Sequence, residues 1–162
     1  MSLRRLPSTA PKRTRRAFTF IDLTISVLIL GILAAVASPK FIAALNKQRV
    51  EAAAERVRAD LQLARTTALA LSTSQSVAFD PATETYLAAG LANVNRPGAA
   101  YSVDLSDSPY AADIVSADFG GSATVVFDHY GAPDHGGVVT FGSGSYQQTV
   151  TLWAETGRAS IP

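Results

Sequence analysis

The sequence predicts an α+β fold, one long N-terminal helix followed by an antiparallel β-sheet domain. Helical apolar spacing runs without a break from Phe18 to Leu71. Beyond residue 72 the pattern changes to short runs rich in Val, Thr and Phe, punctuated by Gly, Pro, Asn and Asp. Helix first and strands after is the α+β order, and the 162 residues leave room for one soluble domain of ordinary size.

The first segment, residues 1–17, is basic. Arg4, Arg5, Lys12, Arg13, Arg15 and Arg16 stand there with no acid among them. From Phe18 onward eight bases face thirteen acids, a formal charge of −5, so the overall +1 hides a basic leader on an acidic protein. The leader's charge holds the N-terminus on the cytoplasmic side of a membrane. The acidic remainder argues against general affinity for nucleic acid. With no cysteine in the chain, disulfides, thiol catalysis and cysteine metal sites are excluded.

The second segment, Phe18 to Ser38, is 21 residues long and carries one charge, Asp22. A carboxylate at that depth costs roughly 2.5–3.5 kcal/mol on insertion scales, so a bare anchor has no use for it. Three export signals share this layout. An ordinary signal peptide would use Ala35-Val36-Ala37 as a small-x-small cleavage site before Ser38. A twin-arginine signal would use Thr14-Arg15-Arg16-Ala17-Phe18. A prepilin leader would be cut between Ala17 and Phe18 and leave the apolar helix on the mature protein. Asp22 handicaps the first two and has a role only in the third. The helical pattern also continues through Lys40-Phe41-Ile42, where a cleaved signal gives way to an unrelated domain start.

Ala17-Phe18-Thr19-Phe20-Ile21-Asp22-Leu23, followed by Leu30-Gly31-Ile32-Leu33-Ala34-Ala35-Val36-Ala37-Ser38-Pro39-Lys40-Phe41, resembles the N-terminus of type IV pilins and type II secretion pseudopilins. The resemblance implies cleavage by prepilin peptidase between Ala17 and Phe18 and N-methylation of Phe18. It implies that Asp22 meets the new N-terminal amine of a neighbouring subunit during assembly. The physics agrees, since a buried carboxylate needs a cation or donors. Ala17 stands where the family usually has Gly, and Asp22 replaces the usual Glu with a side chain one methylene shorter.

Pro39 lies inside the helical pattern, where it removes a hydrogen bond and is expected to kink the helix, as in the family. Beyond it Val50, Ala54, Val57, Leu61, Ala64, Ala68 and Leu71 form one apolar stripe, with Glu51, Glu55, Arg58 and Gln62 off it and facing water. A helix of 54 residues is about 80 Å long at 1.5 Å per residue. Its first half is therefore expected in the membrane or against other subunits, and its amphipathic second half on the protein's own sheet. Predicted strands follow at Ser76–Phe79, Thr85–Ala88, Thr124–Phe127, Val138–Phe141 and Thr149–Trp153.

The distal region carries a second resemblance. Leu61-Gln62-Leu63-Ala64-Arg65-Thr66-Thr67-Ala68 with Val77, then Phe127-Asp128 with Gly131, then Val150-Thr151-Leu152 with Gly157-Arg158, resembles the minor pseudopilin H of type II secretion and the FimT-like minor pilins. The implied layout is a pilin fold. It has a basic leader at 1–17, a transmembrane assembly helix at 18–38, its amphipathic continuation at 39–72 and a β-rich head at 73–162. The implied location is the bacterial inner membrane, single-pass, with the head in the periplasm. The implied partners are other pilin or pseudopilin subunits, prepilin peptidase and the membrane.

No enzyme constellation emerges, and no cofactor, metal, nucleic acid or small-molecule substrate is expected. His129 and His135 with Asp128 and Asp134 flank a Gly-Pro turn but match no zinc spacing. Asp104, Asp107, Asp113 and Asp118 read as a solvated acidic loop without EF-hand spacing. Gly142-Ser143-Gly144 reads as a flexible hairpin, and Tyr146 and Trp153 as sheet core or edge. Gly157-Arg158 closes the last strand; FimT-like pilins bind DNA through Gly-Arg-x-Arg, and this chain lacks the second arginine. Arg96 and Arg158 are the only bases after Arg65, too few for phosphate binding.

Overall fold

Thr19 opens the helix as its N-cap. In the computed structural model, which describes residues 19–93 and 98–162 (the side chains of 36–38 apart), helix α1 spans Phe20–Leu71. The leader, Ala17, Phe18 and Arg96 lie outside the described residues. Pro39 sits within α1, and the helix assignment is unbroken across it. At the far end Ser72 takes a left-handed φ of 48° and the Thr73 amide donates to Ala68 O at 3.2 Å. That is a Schellman-type stop made without glycine, and it satisfies one of the helix's last carbonyls.

The chain divides into two compact units at Pro39, and the second runs from Lys40 to Pro162. In that unit α1 supplies Val50, Ala53, Ala54, Val57, Leu61, Ala64 and Ala68 to the core, all essentially buried. Four alanines on this face let the two sheets approach the helix backbone closely. Leu71 departs from the predicted stripe: it is 61% exposed because the helix stops at the next residue and the chain turns away.

Eight strands follow: β1 Gln75–Asp80, β2 Thr85–Ala89, β3 Tyr101–Asp104, β4 Asp113–Asp118, β5 Thr124–Phe127, β6 Gly137–Ser143, β7 Tyr146–Leu152 and β8 Ala159–Ser160. They make two antiparallel four-stranded sheets, ordered β3-β2-β1-β5 and β4-β6-β7-β8. Alternation on β1 and β2 turns Val77, Phe79, Tyr86 and Ala88 inward, while β6 and β7 contribute Val139, Phe141, Val150 and Leu152. Phe79 bridges Tyr86 and Phe119 with ring centroids at 5.5 and 5.7 Å, near the offset spacing that aromatic pairs favour. Glu84, in the β1–β2 turn, accepts from the Ile114 amide through its carboxylate and from the Leu105 amide through its carbonyl. It thereby ties one sheet to the other.

Three sequence readings need correction. Residues 104–118 are not one loop, because β3 ends there at Asp104 and β4 fills Asp113–Asp118. Leu105, Ala112 and Ile114 go into the core and bring that segment onto β6. Gly142 and Ser143 are not a flexible hairpin tip. They belong to β6, and the buried Ser143 hydroxyl donates to Ala111 O at 3.3 Å; only Gly144, at φ 58°, turns the chain. Trp153 lies one residue past β7 and is half-exposed.

Candidate functional site

The N-terminal end of α1 is where the sequence placed its functional residue. Asp22 Oδ2 accepts from the Thr19 hydroxyl at 2.8 Å and from the Thr19 amide at 3.3 Å. In return, Thr19 Oγ1 accepts from the Asp22 amide at 3.2 Å. This reciprocal pair is a capping box, three residues apart, with Asp in the place of the usual Glu or Gln. The acid also lies in the first turn, where the helix dipole favours a negative charge. Sequence reasoning gave Asp22 a partner on another chain and missed the one three residues away, although Thr-x-x-Asp was readable.

Around this cap the apolar side chains are bare. Phe20 is 79% exposed, and Ile21, Leu23, Ile25, Val27, Leu28, Ile29, Leu30, Ile32 and Leu33 are exposed with it. The helix is long and apolar enough to cross a membrane at this end. Together the cap and this surface make a helix end in which Asp22 and Thr19 satisfy each other and the apolar side chains around them are exposed.

In the head, a buried acid appears that the sequence reading did not single out. Asp60 is 5% exposed. Its Oδ2 accepts from the Tyr86 hydroxyl of β2 at 2.5 Å, the Tyr101 hydroxyl of β3 at 2.9 Å and Arg56 Nε at 3.1 Å. Arg56 also donates to the Tyr101 hydroxyl and lies 6.0 Å from that ring's centroid. Burial, then the Asp60 charge, holds the Tyr86 phenol far above its ordinary value; burial and the bond to Asp60 raise that of Tyr101. Both phenols therefore stay protonated and keep donating. One helical carboxylate thus pins two strands.

Arg65 makes a second joint between α1 and the loops. Its Nε donates to Gly131 O at 3.2 Å. Gly131 and Gly157 both take left-handed φ values, 71° and 62°. A β-carbon on Gly157 would lie 2.8 Å from Arg65 Nε and 2.8 Å from Gly131 O. These glycines leave room for one guanidinium-bearing side chain between two turns. Arg65, Gly131 and Gly157, scattered in the sequence, meet here.

The remaining candidates are occupied locally. Asp128 Oδ1 accepts from the Tyr130 and Ala132 amides at 2.9 and 2.8 Å, and Asp134 Oδ1 accepts from the Val126 amide at 3.0 Å. The His129 and Tyr130 rings meet at a 45° tilt with centroids 3.9 Å apart, while His135 Nδ1 lies 3.6 Å from Asp134. Asp104 caps Ser106, whose hydroxyl and then amide hold its carboxyl below the usual carboxylate range. Asp107 and Asp118 accept from the Ser108 and Gly121 amides. Among the described residues, no group of three or more His, Asp or Glu side chains is placed to hold a metal ion. These acids order turns.

Comparisons with known proteins fit this geometry. Residues 53–154 match the family model described as Type II transport protein GspH. Among solved structures, the minor pseudopilin EpsH from the Type 2 Secretion System of Vibrio cholerae superposes with a TM-score of 0.52 at 12% identity, over 70% of this chain and 96% of that one. The type IV minor pilin FimU of Pseudomonas aeruginosa gives 0.49 at 16% identity, over 71% and 89%. At such identity the likeness to EpsH is one of fold. No match is found among curated proteins.

Proposed function

This chain belongs to the Type II transport protein GspH family, and on that premise we propose that it is a minor pseudopilin of a type II secretion pseudopilus. The observation that carries the reading is a bare apolar half-helix, capped at its start, in front of a head whose residues 53–154 match the family. The role is structural, assembly and partner contact without catalysis.

In this reading prepilin peptidase removes residues 1–17, and Phe18 becomes the N-methylated first residue. The first helical segment then leaves the inner membrane to pack against the helices of other subunits, with the head in the periplasm. Pro39, at the junction of the two segments, has no backbone N–H to give the helix ladder there. Asp22 is held by Thr19 while the protomer waits in the membrane, which supplies the donors that a carboxylate there requires. On assembly it takes the amine of a neighbour's Phe18 in addition to or in place of Thr19.

Deletion of the gene in its own host is the direct test. Exported proteins are expected to disappear from the medium while surface pili and twitching persist. Loss of pili with normal export would overturn the secretion reading in favour of a type IV minor pilin.

A further inference from the structure

On the head, α1 and the turn joining β7 to β8 enclose a groove of about 590 Å³, a size usual for small-molecule sites. Trp153, the chain's one tryptophan, lines it and is 54% exposed. The ring is held in place, because the indole N–H donates to Ser160 Oγ at 3.0 Å. Its backbone is held too: the Trp153 amide donates to Arg158 O at 3.0 Å, and the Gly157 amide donates to Trp153 O at 2.8 Å. With its one side-chain donor already engaged, the indole offers the groove only ring surface.

Arg58, Gln62, Glu155 and Arg158 supply polar groups around that ring. Their charges are balanced, since Arg58 is held by Glu55 at 2.8 Å and Arg158 stands with Glu155. Arg158 and Glu155 nevertheless do not use each other up. No salt bridge joins them, and among the described residues neither side chain, nor the Gln62 amide, has a hydrogen-bond partner. A free fork of donors, a free pair of acceptor oxygens and an amide that does both therefore line one groove with a fixed ring. A carboxylate or phosphate satisfies the guanidinium and is repelled by the carboxylate; an ammonium does the reverse. A hydroxyl donates and accepts at once. Several hydroxyls on one rigid ring satisfy both kinds of group together, and the C–H face of a pyranose is an apolar surface that covers an indole.

We propose that this groove binds a neutral saccharide. One pyranose stacks on Trp153, its hydroxyls donating to Glu155, accepting from Arg158 and doing either with Gln62. A glycan of 2-acetamido sugars and a plain glucan share this chemistry, and the test separates them. The site stands on residues of the head and does not depend on the assembly role.

Trp153 is its own reporter. The full chain in phosphocholine micelles, which carry no sugar, is titrated with cellotriose and with triacetylchitotriose while indole emission is followed. A saturable blue shift is expected with at least one of them, and the tighter-bound of the two names the source. Arg158→Gln and Glu155→Gln should each weaken that binding about tenfold, the loss of one charge-assisted contact, with unchanged far-ultraviolet circular dichroism spectra. The pair of variants separates ligand classes. An anionic ligand loses with the first and gains with the second, and a cationic one the reverse. Only a ligand that uses both donors and acceptors loses with both. No saturable response to either trisaccharide at tens of millimolar would overturn the proposal, as would opposite effects of the two variants. So would tighter binding of the uncharged peptide acetyl-Gly-Pro-Phe-amide, which gives the groove to a protein segment. An emission change on concentrating the protein alone gives it to a second copy and overturns the proposal as well.

Discussion

Asp22→Ala is expected to stop incorporation of the subunit into filaments while leaving the head folded and the chain in the membrane. Two effects of different size are lost together. The capping box with Thr19 is a local helix-end interaction, worth about 1 kcal/mol. On the proposed pairing with a neighbour's amine, removing Asp22 would break a buried ion pair, which costs about 3–5 kcal/mol because the amine left behind has no counter-charge. The larger loss corresponds to a reduction in assembly of at least about a hundredfold. The head is expected to stay folded because, among the described residues, its core cluster begins at Val50.

Asp22→Asn separates the two effects. An amide oxygen still accepts from the Thr19 hydroxyl and amide, so the cap survives and the charge does not. If charge pairing drives assembly, Asn is nearly as defective as Ala, and Glu restores incorporation. The amount of tagged subunit in sheared filaments, against total membrane-bound subunit, reads this directly. Normal incorporation of Asp22→Asn would reduce Asp22 to a helix cap.

The second large effect belongs to Asp60. Asp60→Ala leaves the Tyr86 and Tyr101 hydroxyls and Arg56 without their shared acceptor, and the Tyr86 hydroxyl is buried where water cannot replace it. The expected loss is about 3 kcal/mol, or a fall in Tm of about 10 °C for a domain of this size. Tyr86→Phe removes one donor but keeps the ring against Phe79, so about 1–3 kcal/mol is expected. Tyr101→Phe, half-buried, costs less. The pH dependence follows from the raised phenol. A tyrosine held protonated in the fold contributes stability that is fully present below its ordinary value of 10.0 and is lost as the pH rises above it. Thermal melts between pH 7 and 11 should therefore decline only above about pH 10, and Tyr86→Phe should flatten that decline. A melt unchanged by Asp60→Ala would show that the two sheets hold α1 without this joint.

What was legible in the sequence was whatever is periodic. The stripe from Val50 to Ala68 repeats at helical spacing and goes into the core as expected. The strands containing Val77, Val125, Val139 and Val150 alternate plainly enough to be located. β3, β4 and β8 were not found. Two of them hold aspartates that look like loop residues, and the third is two residues long. Asp60 illustrates a different limit. Its position three residues after Val57 and four before Ala64 puts it on the buried face by helical arithmetic. A buried acid makes sense only once its partners, 26 and 41 residues further on, are in place. The same holds for Arg65, whose neighbours Gly131 and Gly157 are joined to it by the fold alone. Thr19 and Asp22 are different: their cap is local, and Thr-x-x-Asp spells it in the sequence.

An assembly role for Asp22 requires the apolar helix to stay with the mature protein. Mass spectrometry of the N-terminal peptide, from chain purified out of membranes, measures that. The predicted peptide begins at Phe18 and carries one added methyl group on its amine. A mature chain beginning at Ser38 would mean that residues 18–37 are a discarded export signal, and it would contradict both the assembly helix and the role of Asp22.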